Sequence, residues 1–156
     1  IKHGKNGGLI LGICNGFQIL IETGLLPGAL LRNKRLKFIS KNVFLKVLNT
    51  NNNFCKNYKN KSVIELPIAH NEGNFFGDNQ LIKKLEDNNL IAFKYCDKNG
   101  KIENNSNPNG SLNNIAGILN DKKNILGMMP HPERLIEPYL SGEDGSIMFT
   151  SLLKSH

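Results

Sequence analysis

Paired cysteines are missing from this chain. Its 156 residues include only Cys14, Cys55 and Cys96, and no two of them are spaced as C-x-x-C. An odd number without such spacing argues against a disulfide framework and against a zinc site. Free thiols persist in reducing compartments, so we expect a cytoplasmic protein. No apolar run approaches the roughly 20 residues that span a membrane, so we expect no membrane contact.

Arginine is also scarce. The net charge is +7, yet only three of the 20 basic residues are arginines, namely Arg32, Arg35 and Arg134. The lysines are scattered among many asparagines, without the interleaved aromatic residues that stack on bases. We therefore expect no nucleic-acid partner. The chain also has no P-loop or other Gly-rich phosphate motif, so no ATP site is visible in it.

The chain does contain a short apolar run that ends in Gly12-Ile-Cys14-Asn-Gly16. The apolar run predicts a buried parallel strand. Apolar residues at helical spacing follow, and Gly24 is a typical helix stop. A strand that turns sharply into a helix at a Gly-flanked nucleophile is a nucleophile elbow, whose tight turn admits only small flanking residues. The helix dipole would favour the Cys14 thiolate. The alternative is an inert core cysteine.

A cysteine nucleophile needs a base, and His131 is the best candidate. It follows the apolar run 125–129 and lies between two prolines, which fix its backbone. In an extended segment, Glu133 would face the same side and hold the His131 Nδ1 proton, which leaves Nε2 to take the thiol proton. The alternative is a rigid polar turn with an exposed carboxylate. We discount His156 because it is the terminal residue and His3 because it lies in a predicted helix tail.

Two further motifs allow more than one interpretation. His70 and Glu72 form a His-x-Glu pair that could lie behind the site, contact substrate or contact a partner. No third ligand accompanies the pair, so we expect no metal. The segment 107–111, Asn-Pro-Asn-Gly-Ser, is either a simple turn or a loop that binds a polar substrate.

The remaining pattern mixes strands and helices and predicts one α/β domain with a three-layer architecture and a mixed sheet that is mostly parallel at its centre. Alternation over residues 38–47 predicts a half-exposed antiparallel strand. Pro67 limits the strand at 62–69 to an edge or a strand end. Asp144 is predicted to cap a final helix. The other predicted elements are a helix at 80–85, strands at 90–95, 115–119 and 125–129, and loops at 49–61 and 97–114.

The nucleophile motif resembles that of class I glutamine amidotransferases, and Pro130-His-Pro-Glu133 resembles their base and orienting acid. Several longer stretches resemble the family of glutaminase subunits of phosphoribosylformylglycinamidine synthase. They are residues 11–20, 24–33, 67–74, 107–111 and 127–134. The resemblance implies the amidotransferase fold over residues 1–156. Members of the family carry an opening strand and a Gly-rich loop before the elbow, so we expect an N-terminally incomplete domain with missing strands.

The resemblance also implies a reaction. Cys14 attacks the glutamine amide, His131 protonates the leaving ammonia, Glu133 orients His131, and water releases glutamate from the thioester. The Asn15 N–H would be one oxyanion donor. The expected substrate-binding residues are Asn15, Gln18, Asn109, Gly110 and Ser111, with His70 and Glu72 as further site or partner contacts.

The same resemblance implies partners. Ammonia would pass to a separate synthetase subunit that uses ATP and Mg²⁺ to make formylglycinamidine ribonucleotide, and a small third subunit would bridge the two. This chain would bind L-glutamine and no cofactor of its own. Two alternatives stay open, a class I amidotransferase for another acceptor and a truncated, non-catalytic remnant that only binds the synthetase.

Overall fold

The computed structural model describes residues 1–140 and 142–153. His156, which the sequence led us to discount, lies outside the described residues. The helices are α1 (Lys2–Lys5), α2 (Asn15–Glu22), α3 (Asn79–Asp87) and α4 (Ser146–Leu153). The strands are β1 (Ile10–Ile13), β2 (Ala29–Arg32), β3 (Ile39–Val47), β4 (Val63–His70), β5 (Glu72–Phe76), β6 (Ile91–Cys96), β7 (Ile115–Leu119) and β8 (Ile125–Met128). No helix within the described residues is long and apolar enough to cross a membrane.

Six of the strands form one sheet in the order β1-β8-β7-β6-β3-β4. Strands β1 and β8 are parallel, and the other described pairs are antiparallel. The sheet is therefore mixed, as predicted, but its parallel part is smaller than predicted. Parallel neighbours need a long crossover, whereas β7 and β8 follow each other through a short turn.

The alternation in β3 predicted its buried face correctly. Val43, Leu45 and Val47 lie in the core, on a strand paired with both β4 and β6. Strand β4, which contains Pro67, lies at the edge of the sheet, where a missing N–H is tolerated. The Asn-rich loop that follows β3 is anchored by the buried Phe54 side chain.

Helix α2 packs against β1 and β8, and the β2–β5 ribbon forms a separate two-stranded sheet. Because β5 begins two residues after β4 ends, the ribbon joins the edge of the main sheet at His70. The His70 turn lies close to the end of β1, since Cys14 Sγ is 3.8 Å from Ala69 O.

The prediction that Asp144 caps the last helix is wrong. Its carboxylate accepts the Glu65 backbone N–H at 2.8 Å and forms an ion pair with Lys61. The carboxylate thus accepts a hydrogen bond from the backbone of the edge strand β4 and not from the first turn of α4. Capping propensity is local, and here a tertiary contact with a free strand edge outweighs it.

Candidate active site

Cys14 lies in the turn between β1 and α2. Its backbone has φ 52° and ψ −107°, a conformation that costs a non-glycine residue about 1–3 kcal/mol. The Cys14 N–H donates to Met128 O at 2.8 Å, and the Cys14 carbonyl accepts the Phe17 N–H at 3.0 Å. The strand on one side and the helix on the other hold the strained residue in place. This is the geometry of a nucleophile elbow.

Gly12 permits this close approach. A Cβ at Gly12 would lie 2.4 Å from Leu20 Cδ1 and 2.7 Å from the Gly16 carbonyl oxygen. Any side chain there would push α2 away from β1. Gly16 differs, because a Cβ built on it meets nothing within 4 Å. We predicted that only small residues fit at both positions that flank Cys14. The prediction is correct at Gly12, but at Gly16 there is room for a larger side chain.

His131 is fixed from two directions. Its backbone N–H donates to Pro67 O at 2.8 Å, which ties it to β4. Its Nδ1 lies 2.6 Å from Glu133 Oε1. The segment Pro132–Arg134 is a 3-10 turn, not the extended backbone that we predicted, yet the predicted contact forms within it. Because a carboxylate only accepts hydrogen bonds, Nδ1 carries a proton, and in the neutral imidazole Nε2 then presents a lone pair.

Glu133 also lies near Arg134, whose Nε is 3.6 Å from the same Oε1 atom. Both side chains are about half exposed, so this ion pair contributes little to stability. Arg134 matters more through its charge, which acts on the Cys14 thiol.

Cys14 and His131 line one open cleft of about 510 Å³. The cleft brings together six residues that the sequence singled out, namely Cys14, Asn15, Gln18, His70, Glu72 and His131. Glu133 does not line the cleft but contacts the Nδ1 atom of His131. Five lining residues were not predicted, namely Ile13, Phe38, Ala69, Asn71 and Arg134. Of these, Arg134, Ile13, Ala69 and Asn71 directly adjoin predicted site residues, whereas Phe38 lies in none of the predicted motifs.

The thiol of Cys14 does not bond to the base in this arrangement. Its Sγ donates to Ala69 O at 3.8 Å, a long contact, and His131 Nε2 has no hydrogen-bond partner among the described residues. Burial raises the pKa of the Cys14 thiol, while the Asn15 N–H and the Arg134 charge oppose this and Glu133 adds to it. The expected preference for thiolate is therefore wrong for the free protein, because desolvation outweighs the helix N-terminus.

A raised thiol pKa predicts slow alkylation at neutral pH. We expect the rate of Cys14 alkylation by iodoacetamide to rise continuously with pH, through and above the ordinary thiol range. Burial raises the pKa of Cys55 to about 12 and that of Cys96 to about 11, so labelling below these values reports on Cys14. Peptide mapping by mass spectrometry measures the rate at each cysteine. A plateau in the Cys14 rate between pH 6 and 7 would contradict the protonated resting state.

The segment Asn109-Gly110-Ser111 lies outside this cleft and beside a different one. Asn109 Nδ2 donates to the Gly73 carbonyl oxygen at 2.7 Å, and Ser111 Oγ lies 3.1 Å from the same oxygen and 2.8 Å from Asn109 Oδ1. The Phe75 N–H in turn donates to Ser111 Oγ at 3.0 Å. The side chains of Asn109 and Ser111, which we predicted to bind glutamine, thus contact the backbone of β5 instead. Their contact with substrate stays a prediction.

Asn33 is a buried polar residue that sequence reasoning missed. Its Nδ2 donates to the carbonyl oxygens of Lys37 and His70, both at 2.9 Å. Its Oδ1 accepts the Gly73 N–H at 3.2 Å and lies 3.0 Å from His70 Nδ1. Asn33 therefore fixes the turn after β4 and the orientation of the His70 ring. Nothing in its local sequence separates it from the many exposed asparagines.

Metal binding finds no support in the described part of the chain, where no group of three His, Cys, Asp or Glu side chains is placed to hold an ion. The site instead consists of a thiol, two imidazoles, a helix N-terminus and charged groups at the rim. Such a set suits acyl transfer through a covalent intermediate.

Comparison with known proteins places this site in a family. The family model for the CobB/CobQ-like glutamine amidotransferase domain matches residues 2–143. The chain belongs to this family. It is 58% identical over 155 residues to phosphoribosylformylglycinamidine synthase subunit PurQ of Pelagibacter ubique, covering 99% of this chain and 68% of the relative. It is 50% identical over 154 residues to the PurQ subunit of Gloeobacter violaceus, covering 99% of this chain and 66% of the relative.

A solved structure agrees with these relatives. The structure of PurLQS from Thermotoga maritima superposes with a TM-score of 0.81 at 41% identity and covers 97% of this chain and 64% of that chain. The resemblance to PurQ glutaminase subunits and the α/β amidotransferase fold, both expected from the sequence, are confirmed. This amidotransferase chain spans about two thirds of the length of these relatives.

Proposed function

We propose that this protein is the glutaminase component of phosphoribosylformylglycinamidine synthase. It hydrolyses L-glutamine to glutamate and ammonia, and the ammonia serves a synthetase partner. The observation that carries the proposal is the shared cleft of an elbow cysteine, Cys14, and a histidine, His131, whose tautomer is held by Glu133 at 2.6 Å. The family membership supplies the substrate class.

The first step forms a thioester at Cys14. His131 Nε2 takes the proton from Sγ, and the sulfur bonds to the side-chain carbonyl carbon of glutamine. The carbon–nitrogen bond of the amide then breaks, and the same proton passes from Nε2 to the leaving nitrogen, which departs as ammonia. Since the resting thiol is protonated, the base is needed before the attack and not only afterwards.

The developing oxyanion needs hydrogen-bond donors. The Asn15 N–H lies at the start of α2, directly after the nucleophile, and its hydrogen bond to the sulfur partly offsets the burial that raises the pKa of the Cys14 thiol. We expect the same N–H to bind the carbonyl oxygen as it becomes negative. One such donor contributes about a hundred- to a thousandfold to the rate.

The second step releases glutamate. His131 Nε2 takes a proton from water, the hydroxide bonds to the thioester carbon, and the carbon–sulfur bond breaks. The proton returns to the leaving sulfur. The two steps together consume one glutamine and one water and yield one glutamate and one ammonia, with Cys14 and His131 restored.

The amino-acid end of glutamine carries one charge of each sign, and the cleft offers complementary groups. Glu72 and Arg134 both line it, which supports a contact of the carboxylate with the α-ammonium group and of the guanidinium with the α-carboxylate. Gln18, one turn into α2, adds amide contacts. Asn109 and Ser111 contribute by contacting Gly73, whose backbone packs against the His70 ring.

The partner in this proposal is the synthetase subunit, with a small bridging subunit between them. The PurLQS neighbour motivates an assembly of this kind. ATP and Mg²⁺ belong to the synthetase, and formylglycinamide ribonucleotide is its acceptor. The three cysteines are free thiols, which suits a reducing cytoplasm.

Mixing with the synthetase tests this proposal. We expect the two proteins to elute together from a sizing column and glutamate release to rise at least about tenfold when the acceptor and ATP are present. A Cys14→Ala variant should still bind but release no glutamate. Binding without any glutamate release by the unmodified protein would favour the non-catalytic alternative. Neither binding nor stimulation would contradict the purine assignment and favour another acceptor.

A further inference from the structure

His70 presents a buried atom that the catalytic steps above do not use. The residue lines the same cleft as Cys14 and is only 4% exposed. Its Nε2 atom has no hydrogen-bond partner among the described residues. A buried polar atom that lacks a partner is costly, so an unpaired atom on a cleft residue calls for a ligand or water that supplies the missing hydrogen bond.

The protonation state of the His70 ring follows from Asn33. Both hydrogens of the Asn33 amide are donated to carbonyl oxygens, so its Oδ1 is the atom that faces His70 Nδ1 at 3.0 Å. An oxygen that only accepts requires a proton on Nδ1. The Nε2 atom on the other side of the ring is therefore an acceptor in the neutral imidazole.

The ring is also held in position and kept neutral. A Cβ at Gly73 would lie 2.4 Å from His70 Cε1, so the ring packs directly on the Gly73 backbone. Burial and the nearby His131 lower the pKa of His70 to about 4. His70 can therefore neither take over the role of His131 nor donate a hydrogen bond from Nε2 at neutral pH.

The substrate supplies the missing donor. A glutamine side chain has one carbonyl oxygen, which needs donors, and one NH₂ group, which needs acceptors. The Asn15 N–H serves the oxygen. We propose, on the basis of the proposed function, that His70 Nε2 accepts a hydrogen bond from the NH₂ group of glutamine and from the same nitrogen as it leaves. His70 is then a specificity residue for an amide.

This role also discriminates against the product. Glutamate would place a carboxylate oxygen where glutamine places its NH₂ group, and the oxygen would face the lone pair of Nε2. Two acceptors in contact repel each other, and the buried acceptor loses its donor. The same argument applies to the γ-methyl ester of glutamate, which has an ester oxygen in place of the amide nitrogen.

The ester provides the test. We expect a His70→Leu variant to lose about tenfold or more in kcat/KM for glutamine and less than threefold for glutamate γ-methyl ester. The inhibition constant for glutamate should fall, since the repulsion is gone. A His70→Gln variant, whose carbonyl oxygen restores an acceptor, should recover part of the preference for the amide. Equal losses with both substrates would show a purely structural role and overturn the inference.

A second variant covers the case in which His70→Leu does not fold. Gly73→Ala keeps the imidazole but displaces the ring, so we expect the same selective loss with glutamine. An unchanged amide-to-ester ratio in Gly73→Ala, with a shifted ring shown by the histidine NMR signals, would also contradict the inference. The unmodified protein, assayed with its synthetase, separates the two proposals: hydrolysis of neither substrate would contradict the proposed function, whereas hydrolysis of both leaves the variants to decide on His70.

Discussion

Replacement of Cys14 by serine is expected to lower the kcat for glutamine hydrolysis by at least about a thousandfold. The serine hydroxyl is much less acidic than the thiol, and burial at this position already opposes ionisation. His131 therefore has to remove a far less acidic proton before any bond to glutamine forms. Release of glutamate, followed in the presence of the synthetase, measures the loss.

The control for this variant is another cysteine. Cys96 is buried on β6, away from the cleft, and a Cys96→Ser variant should keep the kcat within about threefold. Cys14→Ser should unfold at nearly the same temperature as the unmodified protein, because serine fits the same strained backbone. Retention of more than about a tenth of the activity in Cys14→Ser would mean that Cys14 is not the nucleophile.

Replacement of His131 by asparagine has the second-largest expected effect, a loss in kcat of about a hundred- to ten-thousandfold, the usual contribution of a general acid–base group. His131 transfers a proton in both steps, and no neighbouring group replaces it, since His70 is held neutral with a pKa of about 4. Initial rates of glutamate release in the presence of the synthetase measure the loss.

The Glu133→Gln variant is expected to lose less activity than His131→Asn. Glu133 holds the tautomer of His131 but is 43% exposed, so water can partly replace it, and we expect a loss of about tenfold to a hundredfold. His3→Asn, on the short helix α1, is the matched control and should be silent. A Glu133→Gln variant as impaired as His131→Asn would mean that Glu133 has a direct chemical role. A silent His131→Asn variant would contradict the triad.

The parts of the site that the sequence predicted are those set by short-range rules. The elbow at Cys14 follows from a strand, a tight turn and a helix within about a dozen residues. The contact between His131 and Glu133 depends on only three consecutive residues, and it survives the change from the predicted extended backbone to a 3-10 turn. The same holds for β3, where alternation alone identifies the buried face.

The parts that the sequence could not supply depend on contacts between distant segments. The pKa of Cys14 is set by burial against several elements, which outweighs the helix N-terminus that the local pattern shows. In the loop around Asn109, the Asn109 side chain donates a hydrogen bond to Gly73, 36 residues away. Asn33 holds His70 although the two residues are 37 positions apart. Neither of these contacts can be predicted from the residues next to it in the sequence. For the same reason the antiparallel pairing of most strands was underestimated.

Trapping the covalent intermediate tests the central claim most directly. A glutamine analogue with an electrophilic chloroketone in place of the amide is incubated with the protein, and the modified peptide is located by mass spectrometry. We predict one adduct at Cys14, formed faster than at Cys55 or Cys96 and slowed by added glutamine. Labelling of Cys14 no faster than that of the two buried cysteines, or unaffected by glutamine, would contradict a glutamine-binding catalytic cleft at the elbow.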